Sequence, residues 1–149
     1  MRYICLGYMQ ESRFESWSED QRNAFIDECF TYDNQLLKNG NNVGGEALQP
    51  TRSATTLRMG SGAVVISDGP YAETKEQLGG IMMLEARDLN HAIQLMSKHP
   101  SVRMGTTWEI RPAADLSAMI EESERRRETS SVGTPEGATS SGRSRAERG

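Results

Sequence analysis

Two cysteines, two histidines and no long apolar run deprive several function classes of support from the outset. Cys5 and Cys29 form neither a CxxC pair nor a metal-binding spacing, and a chain of 149 residues can bury a core without disulfide staples. Both read as small buried hydrophobes, which fits a reducing cytoplasm. His91 and His99 fall on different sides of one predicted helix with no third ligand nearby, so no metal site is expected. No stretch approaches the roughly 20 apolar residues needed to cross a bilayer. The start, Met1 to Tyr8, runs into Gln10-Glu11 without a signal-peptide apolar core or cleavage site. Charge of one sign is also missing. The net charge is -4, with 11 basic against 14 acidic residues in 1–112 and 6 against 7 in 113–149. Without a basic patch, nucleic acid is not an expected direct partner, and neither is a membrane. Gly79-Gly80 lacks the strand-to-helix setting and following Lys-Ser or Lys-Thr of a phosphate loop, so no cofactor is expected.

The residues present organise well. Arg2 to Met9 reads as a strand apolar on both faces, the mark of a central position. Ser18-Glu19-Asp20-Gln21 is a capping box opening a helix through about Lys38, and Asn39-Gly40 supplies its stop. Phe25, Ile26, Cys29, Phe30, Leu36 and Leu37 form that helix's apolar stripe. Gly44 to Leu48 is a short strand. Ser53 to Met59 and Ala63 to Ser67 make a hairpin around Gly60-Ser61-Gly62. Leu78 to Ala86 is a further strand, with Gly79-Gly80 marking a bulge or a close approach. Asp88 caps a second helix with Leu89, Ala92, Ile93 and Met96 inward, ended by Pro100. Thr106 to Arg111 is the closing strand.

This order, β-α-β-(hairpin)-β-α-β, predicts an α+β fold: a ferredoxin-like sandwich with an added hairpin, over residues 1–112. Both helices cover one sheet face. The other is apolar too, and a homodimer through the sheet face is the economical way to cover it, with the helix after Asp115 folding back across it as the alternative. Residues 113–128 read as a C-terminal helix. The Ser-, Gly- and Arg-rich residues 129–149 read as a disordered tail.

The candidate chemistry centres on the loop from Asp68 to Glu76. Asp68-Gly69-Pro70 is turn material, because Asp bonds its own backbone and Pro70 fixes φ. The loop is nevertheless longer than a hairpin requires and carries Glu73, Thr74, Lys75 and Glu76. Asp68 is therefore also read as a strand-end base or acceptor, with Lys75 pairing a nearby carboxylate or an anionic ligand. His99 reads as a cation at the C-terminal end of the second helix, and is the one plausible imidazole base. His91 reads as a solvated surface residue. Tyr8, Glu46, Tyr71, Glu73, Thr74 and Arg103 are the expected ligand-binding residues. Trp108 is expected in the core or a dimer interface.

Three segments carry a resemblance: Gly44-Gly45-Glu46-Ala47-Leu48-Gln49-Pro50, Asp68 through Gly80, and Glu85-Ala86-Arg87-Asp88-Leu89. Over about residues 1–112 the chain resembles the YCII-related family, and within it the bacterial branch named for an Asp-Gly-Pro-Phe signature. Tyr71 stands where that branch usually has Phe. The resemblance implies a dimeric α/β-barrel of ferredoxin-like units with a cleft between the sheet and the signature loop. Members are mostly bacterial, and some genes of the branch lie beside those for extracytoplasmic-function sigma factors. For the wider family, catalysis has been proposed through a His near the first helix and an Asp near the end of the second. Here Gln21 to Phe30 contains no His and the second position falls at His99, so that pair does not carry over as it stands.

Three readings remain open. One is a small-molecule-binding protein with a cleft beside the Asp68–Glu76 loop. Another is an enzyme using Asp68 with Lys75 or His99 as acid and base. The third is a protein-interaction module linked to sigma-factor regulation.

Overall fold

The computed structural model describes residues 1–133 and divides into two compact units, Met1–Ala113 and a unit beginning at Ala114. In the first unit, β1 (Arg2–Met9) is central, paired antiparallel to β5 (Gln77–Glu85) on one side and β6 (Thr107–Pro112) on the other. β2 (Asn42–Ala47) lies outside β5, giving the order β2-β5-β1-β6. Each neighbouring pair is antiparallel, so β1 and β2 run parallel with β5 between them, and β5 and β6 run parallel with β1 between them. This is the split β-α-β arrangement twice over, the ferredoxin-like α+β fold expected from the element order.

Alternation along β1 sorts the two faces. Tyr3, Cys5 and Gly7 are buried while Ile4, Leu6 and Tyr8 are half-buried. Tyr3 and Cys5 join Leu36, Met82, Leu84, Ala86, Ala92 and Met96 in the core. Fully burying a side chain such as Leu84 contributes about 1.5–3 kcal/mol. The opposite face carries Ile4 and Leu6 beside Met83 and Ile81, their register partners on β5.

The long helix α2 (Glu19–Lys38) opens on the expected capping box, with Gln21 N–H on Ser18 Oγ at 3.2 Å and Ser18 N–H on Gln21 Oε1 at 2.9 Å. A short helix, α1 (Glu11–Glu15), precedes it, and Phe14, Trp17 and Phe25 pack ring to ring at the joint. The apolar stripe of α2 is only partly buried. Cys29 and Leu36 face the core, whereas Phe30 and Leu37 are 63% and 61% exposed.

The hairpin forms as expected, β3 (Thr55–Met59) with β4 (Val64–Asp68), but as a separate two-stranded sheet with Leu57, Met59, Val64 and Ile66 exposed. Asp88 caps α3 (Leu89–Ser97), accepting His91 N–H at 2.8 Å, and His91 Nδ1 in turn accepts Arg87 N–H at 3.1 Å. His91 therefore closes the capping turn and is half-buried, not the freely solvated residue expected. Pro100 does more than end α3. It starts a second short helix, α4 (Pro100–Arg103). In the second unit, α5 (Ser117–Ser131) extends past the expected limit at residue 128, with Glu122 and Arg126 paired across one turn at 2.9 Å. The remainder of the predicted tail, 134–149, lies outside the described residues.

Candidate ligand cleft

Between α2 and the sheet lies a cleft of about 590 Å³. Phe25, Cys29, Phe30, Asp33 and Leu37 of α2 form its roof, and its floor includes Gly7, Gly44, Gly45, Gly79 and Gly80. The cleft stays open because these floor positions put no side chains into the space under α2. Gly80 pairs with Gly7, whereas Tyr8 pairs with Leu78, so Gly79 is the extra residue of a bulge. Gly80 shares a face with Met82 and Leu84, and a Cβ there would meet nothing nearer than Glu46 O at 3.5 Å. At Gly45 the glycine is required: φ is 147°, and a Cβ would strike the Ile81 carbonyl oxygen.

The inner end of the cleft holds a hydrogen-bonded chain of four side chains. His99 precedes Pro100, whose ring disfavours helical backbone in the residue before it, and His99 is accordingly extended (φ -63°, ψ 126°). That break drives the imidazole inward, where it is 5% exposed and packs edge-on against Tyr32, with ring centroids 5.7 Å apart. His99 Nε2 lies 3.1 Å from Asp33 Oδ1. On the other side of the ring, Nδ1 accepts Ser101 N–H at 3.2 Å and faces Ser101 Oγ at 2.6 Å. Trp108 Nε1–H donates to that hydroxyl at 2.8 Å. The directions are fixed by elimination. A backbone N–H can only donate, so Nδ1 is an acceptor, and the geometry accommodates the neutral Nε2–H tautomer donating to Asp33. Ser101 Oγ accepts from Trp108 and gives its own proton to Nδ1. His99 is thus the buried N-cap of α4, not a residue at the exposed end of α3.

The expected site residues divide. His99 and Glu46 line the cleft, but Glu46 pairs with Ile81, so its side chain leaves from the far face of the sheet. Tyr8 also lies on that far face, opposite Leu78. Arg103 is exposed and paired with Glu28. No residue from Asp68 to Glu76 lines this cleft, although Glu76 lines a smaller pocket with Arg13, Phe14 and Trp17. The loop's backbone is tied to its neighbours by several hydrogen bonds. Thr56 Oγ1 donates to Gly69 O at 2.8 Å, Gly69 N–H to Ala54 O at 2.7 Å, Arg58 to Tyr71 O, and Gln77 Nε2 to Thr74 O at 2.7 Å. Asp68, Tyr71, Glu73 and Lys75 stay exposed, and Thr74 Oγ1 turns to Glu76 O at 2.5 Å. No ion pair of the described residues joins Asp68 to Lys75 or His99. The described residues also gather no group of three or more His, Cys, Asp or Glu that could hold a metal ion.

Asp33 and Ser101 had not been singled out from the sequence. Asp33 was legible in one respect: it is a carboxylate in register with the stripe Phe25, Cys29 and Leu36, where an apolar residue is expected. Ser101 offered no signal. Burial pushes the Cys29 thiol up to about 11, and the charges of Asp33 and Glu28 add to the effect.

A model of the YCII-related domain matches residues 1–116. An uncharacterised protein of Rhizobium meliloti (strain 1021) is 30% identical over 115 residues, spanning 76% of this chain and 93% of the relative. Among solved structures, 5-chloro-2-hydroxyhydroquinone dehydrochlorinase from Burkholderia phenoliruptrix, in complex with 2,5-dihydroxybenzoquinone, aligns at a TM-score of 0.47. That alignment has 13% sequence identity and covers 76% of this chain and 94% of the other. The match of the family model over most of the chain settles its membership: the protein belongs to the YCII-related domain family.

Proposed function

We propose that this protein binds a small organic molecule in the cleft between α2 and the sheet, with Asp33 as the polar anchor at its inner end. The observation that carries this reading is a glycine-floored space of about 590 Å³ ending on a carboxylate that a buried histidine holds in place. Asp33 Oδ1 is engaged by His99, and the side chain remains 30% exposed. The chain Asp33–His99–Ser101 has the order of a nucleophile triad, but its details favour positioning over proton shuttling. Both ring nitrogens are occupied. A proton added at Nδ1 would also face the Ser101 N–H, which has no other role than donor. Binding is therefore the better-supported reading than catalysis.

The working unit in this proposal is a homodimer joined through the face that carries Ile4, Leu6, Ile81 and Met83, in a reducing compartment that suits free Cys5 and Cys29. No helix among the described residues is long and apolar enough to cross a membrane.

The test is native mass spectrometry and thermal shift on the purified protein beside Gly80→Val. Valine suits a strand better than glycine by up to about 1 kcal/mol, and its methyl groups enter the cleft. The variant is expected to melt no lower than the wild type and to lose any molecule that co-purifies or stabilises. A ligand retained by a folded Gly80→Val protein would place the site elsewhere.

A further inference from the structure

We infer that the cleft selects an apolar amine, a molecule whose protonated nitrogen meets Asp33 and whose hydrocarbon or aromatic body lies along the glycine floor. The inference rests on the cleft being a ligand site and adds the chemical class. Its basis is the charge of the lining. The ionisable residues there are Cys29, Asp33, Glu46 and His99, and the lining contains no Lys or Arg. Glu46 does not bear on the interior, because its pairing with Ile81 sends its side chain to the far face. Cys29 keeps its proton. His99 Nδ1 accepts the Ser101 N–H, the arrangement of an Nε2–H tautomer that donates to Asp33.

Asp33 is then the one charge inside, and no Lys or Arg among the described residues pairs with it. The nearest candidate on α4, Arg103, is committed to Glu28. A ligand carboxylate or phosphate beside Asp33 would meet a negative charge, and Arg103, whose charge reaches Cys29, is already paired with Glu28. A protonated amine would complete the ion pair that the protein leaves open, donating to the carboxylate that His99 orients. The remaining surface suits the rest of such a molecule. Phe25, Phe30 and Trp108 present aromatic rings, which favour a nearby cation as well as apolar carbon, and Met9, Leu37 and Met82 are apolar.

Three probes of matched shape decide the matter by isothermal titration on the full chain: 2-phenylethylamine, 2-phenylethanol and phenylacetate. The amine is expected to bind at least tenfold more tightly than the alcohol, and phenylacetate more weakly than either. Asp33→Asn keeps an oxygen for the His99 N–H and should fold. It is expected to weaken the amine at least tenfold and leave the alcohol within about threefold, since the lost interaction is ionic. Equal or tighter binding of phenylacetate, or an amine affinity unchanged in Asp33→Asn, overturns the amine class. In that event, binding of the alcohol that Gly80→Val abolishes leaves the cleft reading standing. If none of the three binds at millimolar concentration, the cleft reading falls with the inference.

Discussion

Replacing Ser101 by alanine isolates the chain that holds Asp33 in place. The substitution removes one oxygen with two bonds: the acceptor for Trp108 Nε1–H at 2.8 Å and the donor to His99 Nδ1 at 2.6 Å. The backbone N–H of Ser101 still reaches Nδ1 at 3.2 Å and Asp33 still faces Nε2, so each ring nitrogen keeps a partner and the α4 cap survives. The indole N–H keeps none. Leaving a part-buried donor unpaired costs about 1–3 kcal/mol. For a domain of this size that corresponds to about 4 °C in Tm per kcal/mol, so a fall of about 4–12 °C is expected. Urea denaturation should show a lower midpoint at unchanged slope, since no new surface is exposed. Ser16→Ala is the comparison, because its hydroxyl makes an exposed bond to Arg13 O at 2.6 Å and should cost under about 0.5 kcal/mol. If Ser101→Ala matches Ser16→Ala, the Trp108–Ser101–His99 chain is not desolvated, and the claim that it orients Asp33 fails.

Other perturbations reach the remaining parts of the molecule. Ile81→Glu places a charge on the apolar sheet face and is expected to convert a dimer to monomer by light scattering; a wild type that is already monomeric at micromolar concentration would refute the proposed sheet-face pairing. Burial pushes both thiols up from 9.0 to about 11, so Cys5 and Cys29 should label slowly with iodoacetamide at pH 7 and faster as pH approaches 11. Because the folded values lie above the unfolded ones, these thiols add stability below pH 9 and lose it as pH rises toward 11. Rapid labelling of the folded protein at neutral pH would contradict the burial of both.

The fold was largely legible because its signals are local. The Ser18–Gln21 capping box, the Asp88 cap and the Gly60-Ser61-Gly62 turn each act within a few residues, and each forms as read. The cleft was harder to read because it depends on what meets across the fold. Asp33 and His99 are separated by two strands, a hairpin and a helix, and nothing local in either links them. Pro100 was correctly read as breaking α3, but not as turning His99 inward to cap a new helix. The Asp68–Glu76 loop lies apart from this cleft. Its charge and length resemble those of a site, while its backbone takes part in bonds at the base of the β3–β4 hairpin, Thr56 Oγ1 to Gly69 O and Gly69 N–H to Ala54 O.

The central claim is that the space between α2 and the sheet receives a ligand at Asp33. Amide and indole NMR shifts measured while 2-phenylethylamine is added test it most directly. The expected result is saturating shifts at Gly7, Asp33, Gly80 and the Trp108 indole N–H, those at Gly7, Asp33 and Trp108 being absent in Gly80→Val, with Ile4 and Leu6 on the far face unmoved. Shifts centred on Asp68 to Glu76 with the cleft resonances unchanged would contradict it.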